Sequence, residues 1–439
     1  MSEDTKDMPK VSSDMESPKV LNYIEKLVAE LCPEGVEYKA LGDFSLLIRG
    51  QGMPKSDFSD TGIGAIHYGQ VYTRYGIWTK DVISYVSSET ARNLVHVNHG
   101  DLIITNTSEN LEDVCKSVAY LGEDYIVTGG HATVISQHGQ NAKYLSYYFA
   151  SLEFQKNKKK YAFGTKVIEV SSKNLAKILI PVPPLEVQNA IVDILDKFTE
   201  LEAELEAELA ARRAQYEYYR KLLLENITNR VSVERVELSE IFDISNGYTP
   251  KKSVSSYWDD GNVPWFRMED IRRNGRVLSE SLIKVHESAV KKSGLFPENS
   301  IIVATSATIG EHALIKIPFL CNQRFTALIL KEKYINKLDR KFLFYYCFVL
   351  DEWCRNNTTQ SSFASVDMKG FRKFVFPVPS LTDQERIVSI LDTFDALVND
   401  ISSGLPAEIE ARRKQYEYYR DRLLTFPRKP ESAVEAMQR

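Results

Sequence analysis

Arg49, Gln51, Lys55, His67, Tyr68 and Gln70 fall in one glycine-punctuated stretch. Between them they carry the donors and acceptors that hydrogen-bond base edges in a DNA major groove. Further on, Lys156 and the run Lys158, Lys159, Lys160, Tyr161 set cations beside an aromatic ring, a pattern suited to clamping phosphates. In the second half of the chain Lys251, Lys252, Arg267, Arg272, Arg273 and Arg276 gather around Trp258, Trp265 and Phe266, and Asn322, Gln323 and Arg324 precede an apolar run. The arginines read as phosphate anchors before base readers, Asn322 to Arg324 as a base-reading turn, and the tryptophans as core.

Catalytic chemistry is harder to find. The chain has no Asn/Asp-Pro-Pro-aromatic motif of an adenine methyltransferase, no Gly-x(4)-Gly-Lys-Ser/Thr loop for a nucleotide triphosphate, and no paired carboxylates with a lysine in nuclease style. His96 and His99, and His131 with His138, lack carboxylate or cysteine neighbours at metal-ligand spacing and read as structural, so no metal is expected. Five cysteines without a Cys-x-x-Cys pair suggest reduced, packed thiols. With 43% hydrophobic and 26% charged residues the composition is that of a folded globular protein. The start is polar and acidic, and no apolar run approaches a membrane span; a cytoplasmic protein with no membrane contact is expected. The net charge of −5 speaks weakly against a polyanionic partner. It hides an alternation of acidic segments with neutral-to-basic ones, and phosphate contact needs only a local basic face.

The elements that must position these groups are announced by a repeat. Ile180-Pro-Val-Pro-Pro-Leu185 returns as Phe376-Pro-Val-Pro-Ser-Leu381, with Gln188 and Gln384 following, and Ile191 to Asp196 returns as Ile387 to Asp392. Ala211-Arg-Arg-Ala-Gln-Tyr-Glu-Tyr-Tyr-Arg220 then returns as Ala411-Arg-Arg-Lys-Gln-Tyr-Glu-Tyr-Tyr-Arg420, four residues later than the first register requires. From Leu185 past Leu224 nothing breaks a helix, and Phe198, Leu201, Leu205, Leu209, Tyr216, Tyr219 and Leu223 keep helix-packing spacing. In the second copy Ser402-Ser-Gly-Leu-Pro406 occupies the extra positions and predicts a break. A partial third copy at residues 26–41 makes the order helix end, block, helix, block, helix, like a cycle cut open. The resulting fold class is α+β: two α/β blocks separated by two long antiparallel helices that form a coiled-coil spacer, a pseudo-two-fold internal repeat. The divisions are 1–18 as a disordered acidic tail, 19–35 as an N-terminal helix completing the repeat, 36–177 and 231–373 as the blocks, and 178–230 and 374–439 as the helical regions.

With the paired Pro-x-Pro openings, the twin Arg-Arg-x-Gln-Tyr-Glu-Tyr-Tyr-Arg segments and this order in view, the chain resembles the specificity (S) subunit of type I DNA restriction-modification enzymes. One departure is Val187, where that family usually has the acidic residue that Asp383 keeps; its effect is expected to stay within local capping. The resemblance implies that the blocks are target recognition domains, each reading one half of an asymmetric bipartite site on double-stranded DNA. It implies that Gly164-Thr165-Lys166 and Gln360-Ser361-Ser362 lie at the DNA face, and that the helices dock two modification (M) subunits, with restriction (R) subunits added for cleavage. Arg212, Arg213, Arg412 and Arg413 would then be partner contacts. Tyr216, Tyr219, Tyr416 and Tyr419 read first as packing and, by the resemblance, as docking residues. The chain itself would bind no cofactor; S-adenosylmethionine, ATP and Mg²⁺ would belong to its partners.

Two other readings fit parts of the sequence: a self-sufficient DNA-modifying enzyme with a site hidden in a block, and a coiled-coil scaffold without a DNA role. The spacer reading makes its own forecast. Removing Leu205 to Glu208, about 6 Å of helix, shortens the unread gap between half-sites and leaves the half-site bases alone; an unchanged gap in the sequenced methylated sites rejects it.

Overall fold

The computed structural model describes residues 17–359, 364–400 and 402–430. The expected tail 1–18 therefore lies, but for Ser17 and Pro18, outside the described residues, as does the Gln360 to Ser362 loop. The principal helices are α1 (Ser17–Leu31), α2 (Tyr68–Thr73), α3 (Ala142–Phe149), α4 (Leu185–Thr228), α5 (Met268–Asn274), α6 (Arg340–Asn356), α7 (Leu381–Asn399) and α8 (Leu405–Leu423). The long uninterrupted helix and the break before Pro406 are both present. No described helix is long and apolar enough to cross a membrane. The chain divides into two compact units, one running to Glu204 and resuming at Glu410, the other Leu205–Ile409.

In the first unit a five-stranded sheet runs in the order β1 (Leu46–Arg49), β5 (Ala132–Ser136), β3 (Leu102–Thr105), Ser117–Tyr120, Trp78–Thr79. A second sheet holds β2 (Ile63–His67) in parallel with β4 (Ile126–Gly129). Ile103, Val118 and Val134 pack toward Ile66 and Val97 of the second sheet. Leu102, Ile104, Ala119 and Ile135 pack on the other face against Tyr144, Leu145 and Tyr148 of α3. Burial on both faces is why these strands are apolar at successive positions rather than cleanly alternating.

The second unit repeats the plan with other residues. Its main sheet runs β6 (Phe242–Asn246), β10 (Phe325–Leu330), β8 (Ser300–Ala304), His312–Ile315, Val277–Leu278, the same order strand for strand. A smaller sheet pairs β7 (Val263–Phe266) in parallel with β9 (Leu320–Cys321). Ile301, Val303 and Leu328 face Phe342, Leu343 and Tyr346 of α6, while Ile302, Ala313 and Ala327 face Phe266 and Phe319.

Each block is stitched to its helices by the repeated residues. The strand leading into Pro-x-Pro pairs antiparallel with the strand that opens the block, Leu179–Pro181 with Tyr38–Ala40 and Val375–Val378 with Glu234–Glu237. Gln188, fully buried, accepts from Asn141 N at 3.0 Å and donates to the Pro183 carbonyl at 2.7 Å. Gln384 does the same with Asp339 N at 2.7 Å and Pro379 at 2.9 Å. One helical stretch further on, Asp196 accepts from Lys143 Nζ (2.6 Å) and the Tyr147 hydroxyl (2.8 Å), and Asp392 from Lys341 Nζ (2.5 Å) and Tyr345 (2.6 Å). Where the copies differ they differ as a set. Ser380 caps α7 by accepting from Asp383 N, and its hydroxyl donates to the Asp383 carboxylate at 2.9 Å. The first copy replaces both, with Pro184 and a buried Val187.

Helix pairing is antiparallel within each unit. In the first, Phe198 stacks on Tyr419 and Glu202 accepts from Arg413 at 2.8 Å, so α4 numbers rise as α8 numbers fall. In the second, Tyr216 and Tyr219 stack on Phe394 and Arg230 pairs with Asp383 at 3.1 Å. The first unit also clasps its own chain ends: Val36 N donates to the Pro427 carbonyl at 2.8 Å and Lys429 N to that of Val36 at 3.0 Å. Replacing Gln188 or Gln384 by alanine orphans a helix-capping amide and a carbonyl in a dry seam. Calorimetry should show the affected unit melting about 5 °C lower, the equivalent of roughly 2 kcal/mol in a unit of this size; unaltered melting for both variants discounts the seam.

Candidate functional site

Strand directions decide which loops meet. In the first unit β5 is antiparallel to both β1 and β3, so its start shares an end of the sheet with the finishes of those two. β4 reaches β5 through Gly130 and His131 alone, which brings the finishes of β4 and its parallel partner β2 to the same end. Arg49, Gln51, His67, Tyr68 and Gln70 are thereby gathered although the sequence spreads them. Arg49 lies opposite Thr133 in the ladder and donates to Glu169 at 3.1 Å. The Gln51 carbonyl accepts from Gly130 N, leaving its side chain exposed. The Tyr68 ring stands 4.4 Å from His67 and 5.1 Å from His131, so a histidine expected to be structural borders this end. The Gly164–Lys166 loop leads into Ile168–Glu169, which pairs with Thr107–Ser108 just past β3. Gly164 sits at φ +111°, where a side chain would drive into the Val167 carbonyl; Thr165 and Lys166 are exposed beside it.

His67 precedes α2 and caps it. Its Nδ1 accepts from Gly69 N at 3.1 Å, and its own backbone N–H donates to Gln70 Oε1 at 2.9 Å. Burial, then the nearby Lys55 and His131, push the imidazole below its ordinary pKa. Lys55 itself is exposed in a short 3-10 turn.

The second unit gathers its residues by the same rule. The finishes of β6, β7, β8 and β9 meet the start of β10, and Tyr248 N donates to the Cys321 carbonyl at 2.8 Å. Arg267, directly after β7, precedes α5, and Asp270 Oδ2 accepts from its backbone N–H at 2.7 Å. Asn322 Oδ1 accepts from Arg324 N at 3.0 Å within its own turn, and the Thr249 hydroxyl donates to Gln323 Oε1. Lys251, Lys252 and Arg324 are exposed at this end. Trp265 donates from Nε1 to the Tyr248 carbonyl at 3.0 Å and meets Trp258 edge to face at 5.2 Å; both belong to the core beneath the loops, as their sequence suggested.

Two groups of expected contacts are corrected. Lys158 is not a phosphate clamp: it is 0% exposed, and its ammonium donates to the carbonyls of Glu112 (2.9 Å) and Val114 (2.5 Å). Burial pushes its pKa down to about 8; Lys159, next to it, is exposed. Arg272 and Arg273 lie in the last turn of α5, away from Arg267. Arg273 pairs with Glu269 at 2.8 Å, and both arginines line a cavity of 1190 Å³ with Arg220, Arg276 and Asp351. In that wall Asp351 is 1% exposed and holds buried His312 Nδ1 at 2.6 Å and Arg276 at 3.4 Å.

The tyrosines of the repeated helix segment pack, as they read first from the sequence. Tyr216 and Tyr419 are 4% and 3% exposed and so face their own units, Tyr416 is half-buried near Tyr147, and Tyr219 stacks on Phe394 while remaining 38% exposed. The residues that stand out are Tyr218 and Tyr418, 64% and 60% exposed. Their equal offset in the two signatures was visible in the sequence; their outward face was not. Arg212 donates to Gln215 at 3.0 Å and Arg412 to Gln415 at 3.2 Å, Arg213 is exposed, and Arg413 bridges to Glu202.

The histidines with metal-like spacing have ordinary partners. His99 Nδ1 lies 3.2 Å from the Gly122 carbonyl, His138 Nε2 lies 2.8 Å from that of Gly100, and His96 stacks on Tyr125.

Comparison with known proteins agrees with this duplicated plan. A family model described as the type I restriction modification DNA specificity domain matches twice, at residues 33–211 and 230–411. The chain is 57% identical over 210 residues to the specificity subunit of the type I restriction enzyme EcoprrI of Escherichia coli, covering 46% of this chain and 52% of that one. It is 40% identical over 276 residues to the EcoR124I/EcoR124II specificity subunit of the same species, covering 60% and 66%. The chain thus spans about half to two thirds of the length of these relatives. A chain from a solved structure concerned with complex assembly and conformational transition of the type I R-M system shares the fold, with TM-score 0.60 and 16% identity, covering 89% of this chain and 97% of that chain.

The buried lysine gives a test independent of any partner. Lys158→Met leaves two carbonyls without a donor and should lower stability by about 2 kcal/mol. Because the folded pKa of about 8 lies below the free lysine value of 10.5, the unfolded chain binds more protons between them. Wild-type stability relative to the variant should therefore rise as pH climbs through that window. A variant of native stability with weakened, less salt-sensitive DNA binding would restore the clamp.

Proposed function

The chain belongs to the type I restriction modification DNA specificity family, and we propose that each of its two units reads one half of an asymmetric bipartite sequence on double-stranded DNA. The observation that carries this reading is the equivalence of the two loop-built ends. Each is assembled from the finishes of corresponding strands, and each bears cations and amide side chains over an apolar and aromatic floor. The side chains that line them differ almost entirely, as two unlike half-sites require, while the buried glutamine and the aspartate that mount each block are repeated with corresponding partners. Exposed Lys55, Lys166, Lys251, Lys252 and Arg324 supply phosphate contacts, and the half-buried residues near the strand finishes supply base contacts.

In this proposal the paired helices set the distance between half-sites, since recognition modules on one face of a duplex must be held in register with its helical turn. They also dock two modification subunits, through the exposed Tyr218 and Tyr418 with Arg212, Arg213, Arg412 and Arg413, aromatic and arginine side chains being the usual anchors of protein interfaces. Methyl transfer and, where restriction subunits join, cleavage are carried out by the partners, with S-adenosylmethionine, ATP and Mg²⁺ bound there. A cytoplasmic setting belongs to the same proposal.

The test is to co-express the chain with modification subunits, map methylated adenines across the host genome, and footprint the purified complex. A single two-part motif, protected in a salt-dependent manner, is the expected result. Scattered methylation with no shared motif, or protection that ignores sequence, defeats the reading.

A further inference from the structure

His67 and Arg267 occupy the same place in two blocks that share little sequence. Each follows a strand of the smaller sheet, β2 or β7, and precedes the short helix α2 or α5. Each has its backbone N–H held by the side chain three residues on, Gln70 at 2.9 Å and Asp270 at 2.7 Å. Each also abuts the turn that enters the edge of the loop-built end: Tyr68, next to His67, lies against His131, and the Phe266 carbonyl, next to Arg267, accepts from Asn322 N at 3.1 Å. The two side chains are therefore anchored by the fold at one corresponding position rather than carried on free loops.

Gln70 has both ends of its amide engaged within the protein, accepting from His67 N and donating to Ser84 Oγ at 2.6 Å, and the oxygens of Asn322 and Gln323 are taken by Arg324 N and Thr249. His67 and Arg267 keep side-chain donors. Because Nδ1 of His67 accepts from Gly69 N, the ring proton sits on Nε2, and what the side chain has left is a single donor. The lowered proton affinity of the ring, from burial and from Lys55 and His131, keeps that tautomer in place at neutral pH. Arg267 is a donor at every nitrogen, and the residue is only partly buried at this end, so its guanidinium keeps donors for an incoming acceptor.

Resting on the DNA reading above, we propose that His67 and Arg267 are specificity-determining residues, each donating to a hydrogen-bond acceptor on one base edge of its own half-site. The chemistry then restricts the base. In the major groove cytosine offers its amino donor, whereas purines offer N7, guanine adds O6 and thymine offers O4. The base facing Arg267 is guanine, whose paired acceptors match the guanidinium fork. The base facing His67, which brings one donor, is assigned as a purine read at N7; a thymine read at O4 would leave that half-site with no 7-deazapurine penalty and refutes the assignment.

The test uses the complex with modification subunits. In wild-type complex, substituting 7-deazapurines one at a time through the half-sites removes single N7 acceptors without touching the protein; one position in each half-site should lose roughly ten- to hundredfold in affinity. His67→Asn retains a capping oxygen and Arg267→Lys retains the charge but not the fork, so both variants should fold. H67N should abolish the 7-deaza penalty, and relax the methylated motif, at one position of one half-site; R267K should do so in the other half-site, with the salt dependence of binding unchanged. Unaltered motifs with both 7-deaza penalties intact overturn the proposal, as does a uniform loss of affinity for all sequences, the mark of a phosphate anchor. Wild-type complex that yields no bipartite motif refutes instead the underlying DNA reading.

Discussion

The architecture depends on burying two glutamine side chains. Gln188 and Gln384 sit where a block strand ends and a long helix begins, and each joins the cap of a block helix to the proline-rich turn of the frame. A buried amide is tolerated only when its oxygen and nitrogen both find partners, so these positions admit one arrangement of block against helix. The aspartates that follow, each taking a lysine and a tyrosine, fix the same geometry two turns along. Everything carried by the far side of the block inherits its placement from this seam.

Much of the frame was legible in the sequence because many of its residues recur, the glutamines and aspartates of the seam in the same roles. The Pro-x-Pro openings, the long first helix and the break at Ser402 to Pro406 were all readable, since proline and glycine have fixed backbone consequences and helical spacing leaves a periodic mark. The kinship of the two blocks was faint. Their strands follow one another in the same order, yet equivalent buried pairs are chemically different: Thr133 donates to Asn106 in one block where Thr305 meets Thr326 in the other. Burial on both faces also removed the alternation that would have marked the sheet.

Sites were the least legible part, for reasons visible in single residues. Lys158 belongs by composition to a cationic run, but its four methylenes carry the ammonium inward to two carbonyls. Arg272 and Arg267 are neighbours in sequence and part company because a helix begins between them. His131 looked like half of a pair with His138, whereas strand β5 separates them and sends one to the loop-built end and the other to Gly100. Chain neighbours share a face only when the period of their element allows it, and no periodicity could be read across these loops.

The clean division between seam and loops has a bearing on how such a molecule can change over generations. Stability is concentrated in side chains that never meet the outside, while the exposed ends rest on strands already satisfied by their own ladders. Substitution at those ends draws little on the folding free energy, which for any protein leaves only a narrow margin. A lineage can thus alter what the ends hold, or exchange one whole block for another that keeps the same fittings, without passing through forms that fail to fold. Novelty at one end and constancy at the other are outcomes of where the dry hydrogen bonds were placed.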